Sequence, residues 1–257
     1  MFVSVVATVV ASRSASELPA FFEELQAWAG WTWPELTTTA YGEDPAQVLD
    51  LRLPAGGGPF PVAFVLHGGF WRASYTRQNT AAVSAALTAA GWATANVEYR
   101  RLGPGSYRTT LEDVAAARAH LENVLDVDRL TAVGHSAGGH LALWLAVRGG
   151  ADRVLGLAAL CDLTDAAREG LGENATQEFL GDDADAYEFA DPGRSLPVGV
   201  PQLLAHGTAD DRVPLAHAER YAERAGEECR VLRLEGVDHF DVIDPRTEAW
   251  RQIMEAL

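Results

Sequence analysis

The chain has 257 residues, 48% of them hydrophobic, enough for one α/β domain with a large buried core. Its formal charge of −16, from 20 basic against 36 acidic side chains, makes nucleic acid and anionic membrane surfaces poor partners. Two cysteines, Cys161 and Cys229, are too few for a disulfide framework, so a reducing, cytoplasmic compartment is expected; no CxxC or HExxH pattern occurs, and no metal or other cofactor is expected.

The apolar run at residues 2–11 has the length of a signal-peptide core. No Lys or Arg precedes it, and it is too short to span a bilayer, so cleavage and secretion are not expected. Residues 20–28 space Phe21, Phe22, Leu25 and Trp28 at helical intervals and predict an amphipathic helix packed on the domain. Residues 48–53 alternate like a strand and residues 54–59 break it, the expected antiparallel edge pair at the start of a sheet. Strands and helices then alternate: strand 62–66, helix 78–90, strand 92–97, helix 109–123, strand 130–133, helix 137–147, strand 154–160, strand 202–205, helix 215–225, strand 230–234 and a final helix from Thr247. Such alternation specifies a mainly parallel sheet covered on both faces, with Cys161 and Cys229 on strands separated by another strand. Residues 162–200 are polar, acidic and strand-free. Because they leave the carboxyl end of a strand, where α/β proteins place ligands, they are expected to form a small cap within the single domain 1–257.

Four segments carry chemistry. Gly134-His135-Ser136-Ala137-Gly138 lies between a strand and a helix, where flanking glycines permit a sharp turn that projects a serine hydroxyl above the sheet. Ser136 is therefore the candidate nucleophile. Upstream, strand 62–66 runs into His67-Gly68-Gly69-Phe70-Trp71, whose Gly68 and Gly69 are candidates, with Ala137, for the N–H donors that hold a tetrahedral oxyanion. Downstream come His206-Gly207-Thr208-Ala209-Asp210 and Asp238-His239-Phe240, each after an apolar run, so a base (His239) and an acid follow the serine in order. Asp210, Asp211 and Asp162 all qualify coarsely as that acid. The spacing through Val213-Pro214 favours Asp210. Phe70 and Trp71, with Tyr75, are candidates for an aromatic substrate pocket. His67, His135, His140 and His206 are expected to organise loops by hydrogen bonding, whereas His120 and His217 are expected to face solvent.

Together these motifs resemble the α/β-hydrolase superfamily, and more narrowly the kynurenine formamidase and small carboxylesterase group, through HGGFW at residues 67–71, GHSAGGH at 134–140, HGTAD at 206–210 and DHFD at 238–241. Tyr41-Gly42 and Leu49-Asp50-Leu51 are similar to that group's entry strands, while Asp191-Pro192 stands where its members often have Ser-Pro. The resemblance implies an α/β-hydrolase fold and a metal-free serine hydrolase with Ser136, Asp210 and His239 as triad. Its implied substrate is a small ester or an aryl formamide, N-formylkynurenine among them. A general short-chain carboxylesterase is the alternative within enzymes, and a non-catalytic small-molecule-binding protein the alternative outside them.

Overall fold

The computed structural model describes residues 13, 14, 16–27, 35–101 and 103–257. The apolar run at 2–11 and Trp28 lie outside the described residues. An eight-stranded sheet organises the chain, in the order β1-β2-β4-β3-β5-β6-β7-β8. Its strands are β1 (Thr37–Ala40), β2 (Val48–Arg52), β3 (Val62–Leu66), β4 (Ala93–Val97), β5 (Leu130–His135), β6 (Arg153–Leu157), β7 (Gln202–Gly207) and β8 (Cys229–Leu234). β2 pairs antiparallel with both β1 and β4, and every later pairing is parallel.

The antiparallel start is therefore real, but its partner strands differ from the sequence expectation. β2 joins β1 and β4 rather than the strand that follows it, and Thr37–Ala40, a short polar run with no apolar alternation, is the strand that the sequence pattern hides. Cys229 begins β8, but Cys161 lies four residues beyond the end of β6.

Period-two alternation splits the core into two layers. From β3, Val62, Phe64 and Leu66 pack with helices α3 (Tyr107–Val124), α4 (Ala137–Val147) and α8 (Leu215–Ala225). Ala63 and Val65 pack instead with α1 (Leu18–Ala27), α2 (Ala81–Ala89) and α9 (Glu248–Ala256). α4 is buried along its length from Ala137 to Ala146, as a helix that is apolar all round must be. Among the described residues no helix is long and apolar enough to cross a membrane.

Residues 162–195 fold as α5 (Leu163–Glu169), α6 (Leu171–Leu180), α7 (Ala186–Ala190) and a 3₁₀ turn at Pro192–Arg194. The first turn of α6 is left-handed at Gly172, Glu173 and Asn174. Asp191 explains its own place in this segment. Its buried carboxylate accepts from Leu163 N at 2.9 Å, Thr164 N at 3.0 Å, Thr164 Oγ1 at 2.7 Å and Gly193 N at 3.0 Å, fastening both ends of the segment together. A serine hydroxyl offers one oxygen where this carboxylate offers two.

Candidate active site

β5 ends at His135 and α4 begins at Ala137, so the whole reversal falls on Ser136, which adopts φ 54° and ψ −120°. A non-glycine residue there is strained and must be held by its surroundings. Three backbone hydrogen bonds hold it: Ser136 N donates to Leu157 O at 2.9 Å, and Ser136 O accepts from Gly139 N at 2.9 Å and Leu160 N at 3.0 Å. The flanking glycines are required by space. A Cβ on Gly134 would strike the Gly138 carbonyl, and one on Gly138 would strike the Leu66 carbonyl at the end of β3.

His239 and Asp210 come from the loops after β8 and β7. His239 Nδ1 donates to Asp210 Oδ2 at 2.7 Å, and Asp210 Oδ1 accepts from Arg212 N and Val213 N, each at 2.9 Å. Burial alone would raise the Asp210 pKa. The adjacent His239 and His206 outweigh it and hold the carboxyl well below the usual carboxylate range. With Nδ1 committed to Asp210, Nε2 is the nitrogen left for proton transfer. Asp211 is largely exposed beside Arg212, while Asp162 caps α5 through Asp165 N at 2.7 Å and pairs with Arg224. Of the three candidate acids, the structure brings only Asp210 to the histidine.

His135 ties the two halves together, donating from Nε2 to His239 O at 2.9 Å. Burial, then the neighbouring His239 ring, lowers its pKa to about 3, so it remains a neutral donor. The preceding Asp238 shapes the histidine's turn: its Oδ1 accepts from Phe240 N at 2.8 Å and Asp241 N at 2.7 Å. Arg13 bridges Asp238 at 2.9 Å and Asp241 at 2.8 Å and so joins the N-terminal arm to that turn.

Gly68 packs directly on the elbow; a Cβ there would lie 2.9 Å from Ser136 Cβ. Gly68 O accepts from His67 Nδ1 at 2.8 Å, and because a trans peptide sets C=O and N–H in opposite directions, this bond turns the Gly69 N–H the other way. His67 is held in turn at Nε2 by Glu98 Oε1, 3.1 Å away. Ala137, first in α4, has an N–H with no acceptor within the helix. His140 and His206 also anchor loops, through Ala190 O and Val213 O, each at 2.8 Å.

A cavity of about 390 Å³ gathers these groups. Gly68, Gly69, His135, Ser136 and His239 form its floor, Phe70, Tyr75, Phe240, Leu18 and Phe22 its apolar wall, and Arg72, Arg212, Asp211 and Glu173 its polar rim. Leu18 and Phe22 belong to α1, whose amphipathic pattern the sequence shows without showing that it faces the site. Glu173 comes from the left-handed turn of α6, which Arg72 holds through Gly172 O at 2.9 Å.

Trp71 departs from the sequence expectation and does not line this cavity. Gly69, Phe70 and Trp71 all have positive φ (108°, 50° and 56°), and the tight turn sends the indole into the core, 3% exposed, stacked on Phe179 at 4.2 Å. His217 is likewise fully buried rather than exposed, its Nε2 accepting from Cys161 N at 3.0 Å and Asp162 N at 3.3 Å. His120 is half-buried beside Thr39, 3.3 Å away.

Similarity to known proteins agrees with this architecture. The BD-FAE family profile matches residues 49–166, the span that carries the glycine-rich turn and the elbow. Esterase B from Lactobacillus rhamnosis, inhibited by a tributyrin phosphonate, superposes with a TM-score of 0.74 at 18% identity, over 95% of this chain and 94% of that one. The chain has the α/β-hydrolase fold. A hyperthermophilic esterase from Pyrobaculum calidifontis gives 0.74 at 19% identity, covering 94% of this chain and 90% of its own. Esterase 2 of Thermogutta terrifontis, phosphoramylated by tabun, gives 0.69 at 21%, covering 89% and 94%. No curated protein matches in sequence.

Proposed function

We propose that this α/β-hydrolase-fold chain is a serine hydrolase that cleaves small carboxylic esters or aryl formamides through an acyl-enzyme. The observation that carries the reading is the convergence of a strained Ser136 and an Asp210-bound His239 in one cavity. Ser136 Oγ attacks the carbonyl carbon while His239 Nε2 takes its proton, and the N–H groups of Gly69 and Ala137 receive the oxyanion. His239 then protonates the leaving alcohol or amine, and a water activated by the same imidazole releases the carboxylic acid. Asp210, ionised throughout, stabilises the imidazolium that forms twice per turnover.

For the substrate, the aromatic wall of Phe22, Phe70, Tyr75 and Phe240 favours an apolar or aryl group on at least one side of the scissile bond. N-formylkynurenine satisfies that requirement and is the substrate the sequence resemblance suggests. The similar solved esterases support the ester reading. One panel decides between the two: kcat/KM for N-formylkynurenine beside acetyl, butyryl and hexanoyl p-nitrophenyl esters. Formamide turnover that exceeds every ester identifies an arylformamidase; ester hydrolysis without formamide turnover leaves a carboxylesterase. Inactivity on all of them, with no fluorophosphonate adduct, overturns the hydrolase reading.

A further inference from the structure

β3 and β4 run parallel in the register Leu66↔Val97, so the next residue of each, His67 and Glu98, leaves the sheet side by side. Glu98 is 4% exposed, and donors converge on its carboxylate: His67 Nε2 at 3.1 Å and Arg101 Nη1 on Oε1, Arg77 N at 3.0 Å on Oε2. Burial pushes the Glu98 pKa up, but the His67 hydrogen bond, the neighbouring charges and the Arg77 N–H hold it down at about 2, so the group is an ionised acceptor. Tyr99 clamps the same imidazole, stacked on it at 4.3 Å, while its hydroxyl donates to His67 O at 2.7 Å. His135 and His140 are held at Nε2 by main-chain carbonyls. His67 is held there by a buried carboxylate, which costs more to bury and binds the ring more strongly.

What this ring controls is a peptide between two glycines. Space demands both of them, because a Cβ on Gly68 would lie 2.9 Å from Ser136 Cβ and one on Gly69 would strike the Tyr75 ring. The same absence of Cβ atoms makes the Gly68–Gly69 peptide easy to flip. A half-turn would exchange its C=O and N–H, and Gly69, at φ 108°, would only cross to the negative φ that glycine populates as readily. The hydrogen bond from His67 Nδ1 to Gly68 O at 2.8 Å selects one of these two states.

We infer that Glu98 is a positioning residue: acting through His67, its carboxylate locks the Gly68–Gly69 peptide in the orientation that presents the Gly69 N–H to an oxyanion. Its consequence for rate rests on the hydrolase reading of Ser136, whereas the lock itself does not. Once released, the peptide turns a carbonyl oxygen to the oxyanion in a share of the molecules. Turnover then falls with that share, while substrate still enters the cavity.

The test reads the Gly69 amide cross-peak by NMR of ¹⁵N-labelled protein, beside kcat and KM, in wild type, Glu98→Gln, His67→Asn and the double variant. Glu98→Gln keeps the side chain's shape and removes its charge; His67→Asn keeps an amide donor near Gly68 O and ends short of Glu98. The expected result is a single cross-peak in wild type that splits or broadens in Glu98→Gln, with KM unchanged and kcat lower by about tenfold to a hundredfold, against about 10²–10³-fold for outright removal of an oxyanion donor. In the His67→Asn background Glu98→Gln should lower kcat no further, because the link is already cut; a residue that only supports the fold would add its loss in both backgrounds. Should Glu98→Gln not fold, Glu98→Asp, which withdraws the carboxylate from Nε2 by one methylene, takes its place. An unaltered Gly69 cross-peak, additive losses of kcat, or a KM that rises while kcat is kept would each overturn the assignment. A wild type inactive on every ester and formamide of the panel would defeat the hydrolase reading instead, and the Gly69 cross-peak alone then decides the lock.

Discussion

The elbow and the wall that covers it are built by different means. At the elbow, backbone meets backbone: Gly134 against Gly138, Gly138 against the end of β3, and Ser136 fixed by three main-chain hydrogen bonds. The covering wall is made of side chains from α1, from the turn after β3 and from the first turn of α6, fastened by Arg13 and Arg72 to carboxylates and one carbonyl. The contrast teaches that the candidate nucleophile is placed by main-chain sterics, whereas the shape of the cavity above it depends on exchangeable side chains. Each of the following experiments breaks or sharpens that division.

The largest effect is expected at the elbow's single hydroxyl. Ser136→Ala should remove turnover, on the order of 10⁶-fold by analogy with the handling of a protease nucleophile, and should abolish a fluorophosphonate adduct in intact-protein mass spectrometry. An undiminished adduct on the alanine variant assigns the nucleophile elsewhere. Next is Asp210→Asn, expected to lower kcat by about 10⁴-fold because the amide reverses the histidine's tautomer preference. Asp211→Asn should leave kcat unchanged, and Asp162→Asn should act on stability, through the α5 cap and Arg224, rather than on kcat. A crippled Asp162→Asn with a healthy Asp210→Asn would reassign the acid.

Gly138→Ala is expected to cost about 1–3 kcal/mol in urea unfolding, since a methyl there meets carbonyl oxygens that cannot swing aside. Gly57→Ala, which points into open space without a positive φ, should be neutral or mildly stabilising. On the wall, Phe70→Ala should lower kcat/KM for aryl substrates about threefold to tenfold more than for methyl or ethyl esters. Equal losses across substrates would place Phe70 in support of the turn rather than in recognition.

The smallest effect is one of pH. Burial lowers the pKa of His217 to about 4, and likewise that of His140, so both are neutral when folded and take up protons more readily when unfolded. Their contribution to stability is complete above about pH 6.5, the ordinary histidine value, and declines as pH falls toward 4. The thermal midpoint should drop across that window, and His217→Gln should flatten the drop while lowering the midpoint at pH 7. A midpoint that is level from pH 7 to 4.5 contradicts this account.

The candidate site was legible because its signals are local: glycines where a turn demands them, and a serine, an acid and a histidine each following an apolar run. The mainly parallel, two-layered sheet followed from alternation of strands and helices, whereas the pairing of β2 with β1 and β4 did not. What stayed hidden depends on direction. Trp71 follows Phe70 in sequence, but positive φ at both residues turns the indole inward, and no propensity at Phe-Trp announces left-handed backbone. His217 carried an overlooked signal: with Tyr221 and Ala225 it falls at four-residue spacing on one helix face, and those two are buried. The pocket residues Leu18, Phe22 and Glu173 lie far from the motifs in sequence and reach the site only through tertiary packing.

The glycine interlock also governs which mutations can rescue one another. Where an added methyl would strike main-chain oxygen, as at Gly134 and Gly138, no substitution elsewhere removes the obstacle, and intolerance should persist in every sequence background. Gly42 differs, because what an added methyl would meet there is the far end of the Gln47 side chain; shortening residue 47 to alanine would open room for alanine at 42. Descendants of this chain can therefore trade partners at a turn such as Gly42, but within the GxSxG turn itself history leaves no compensating path.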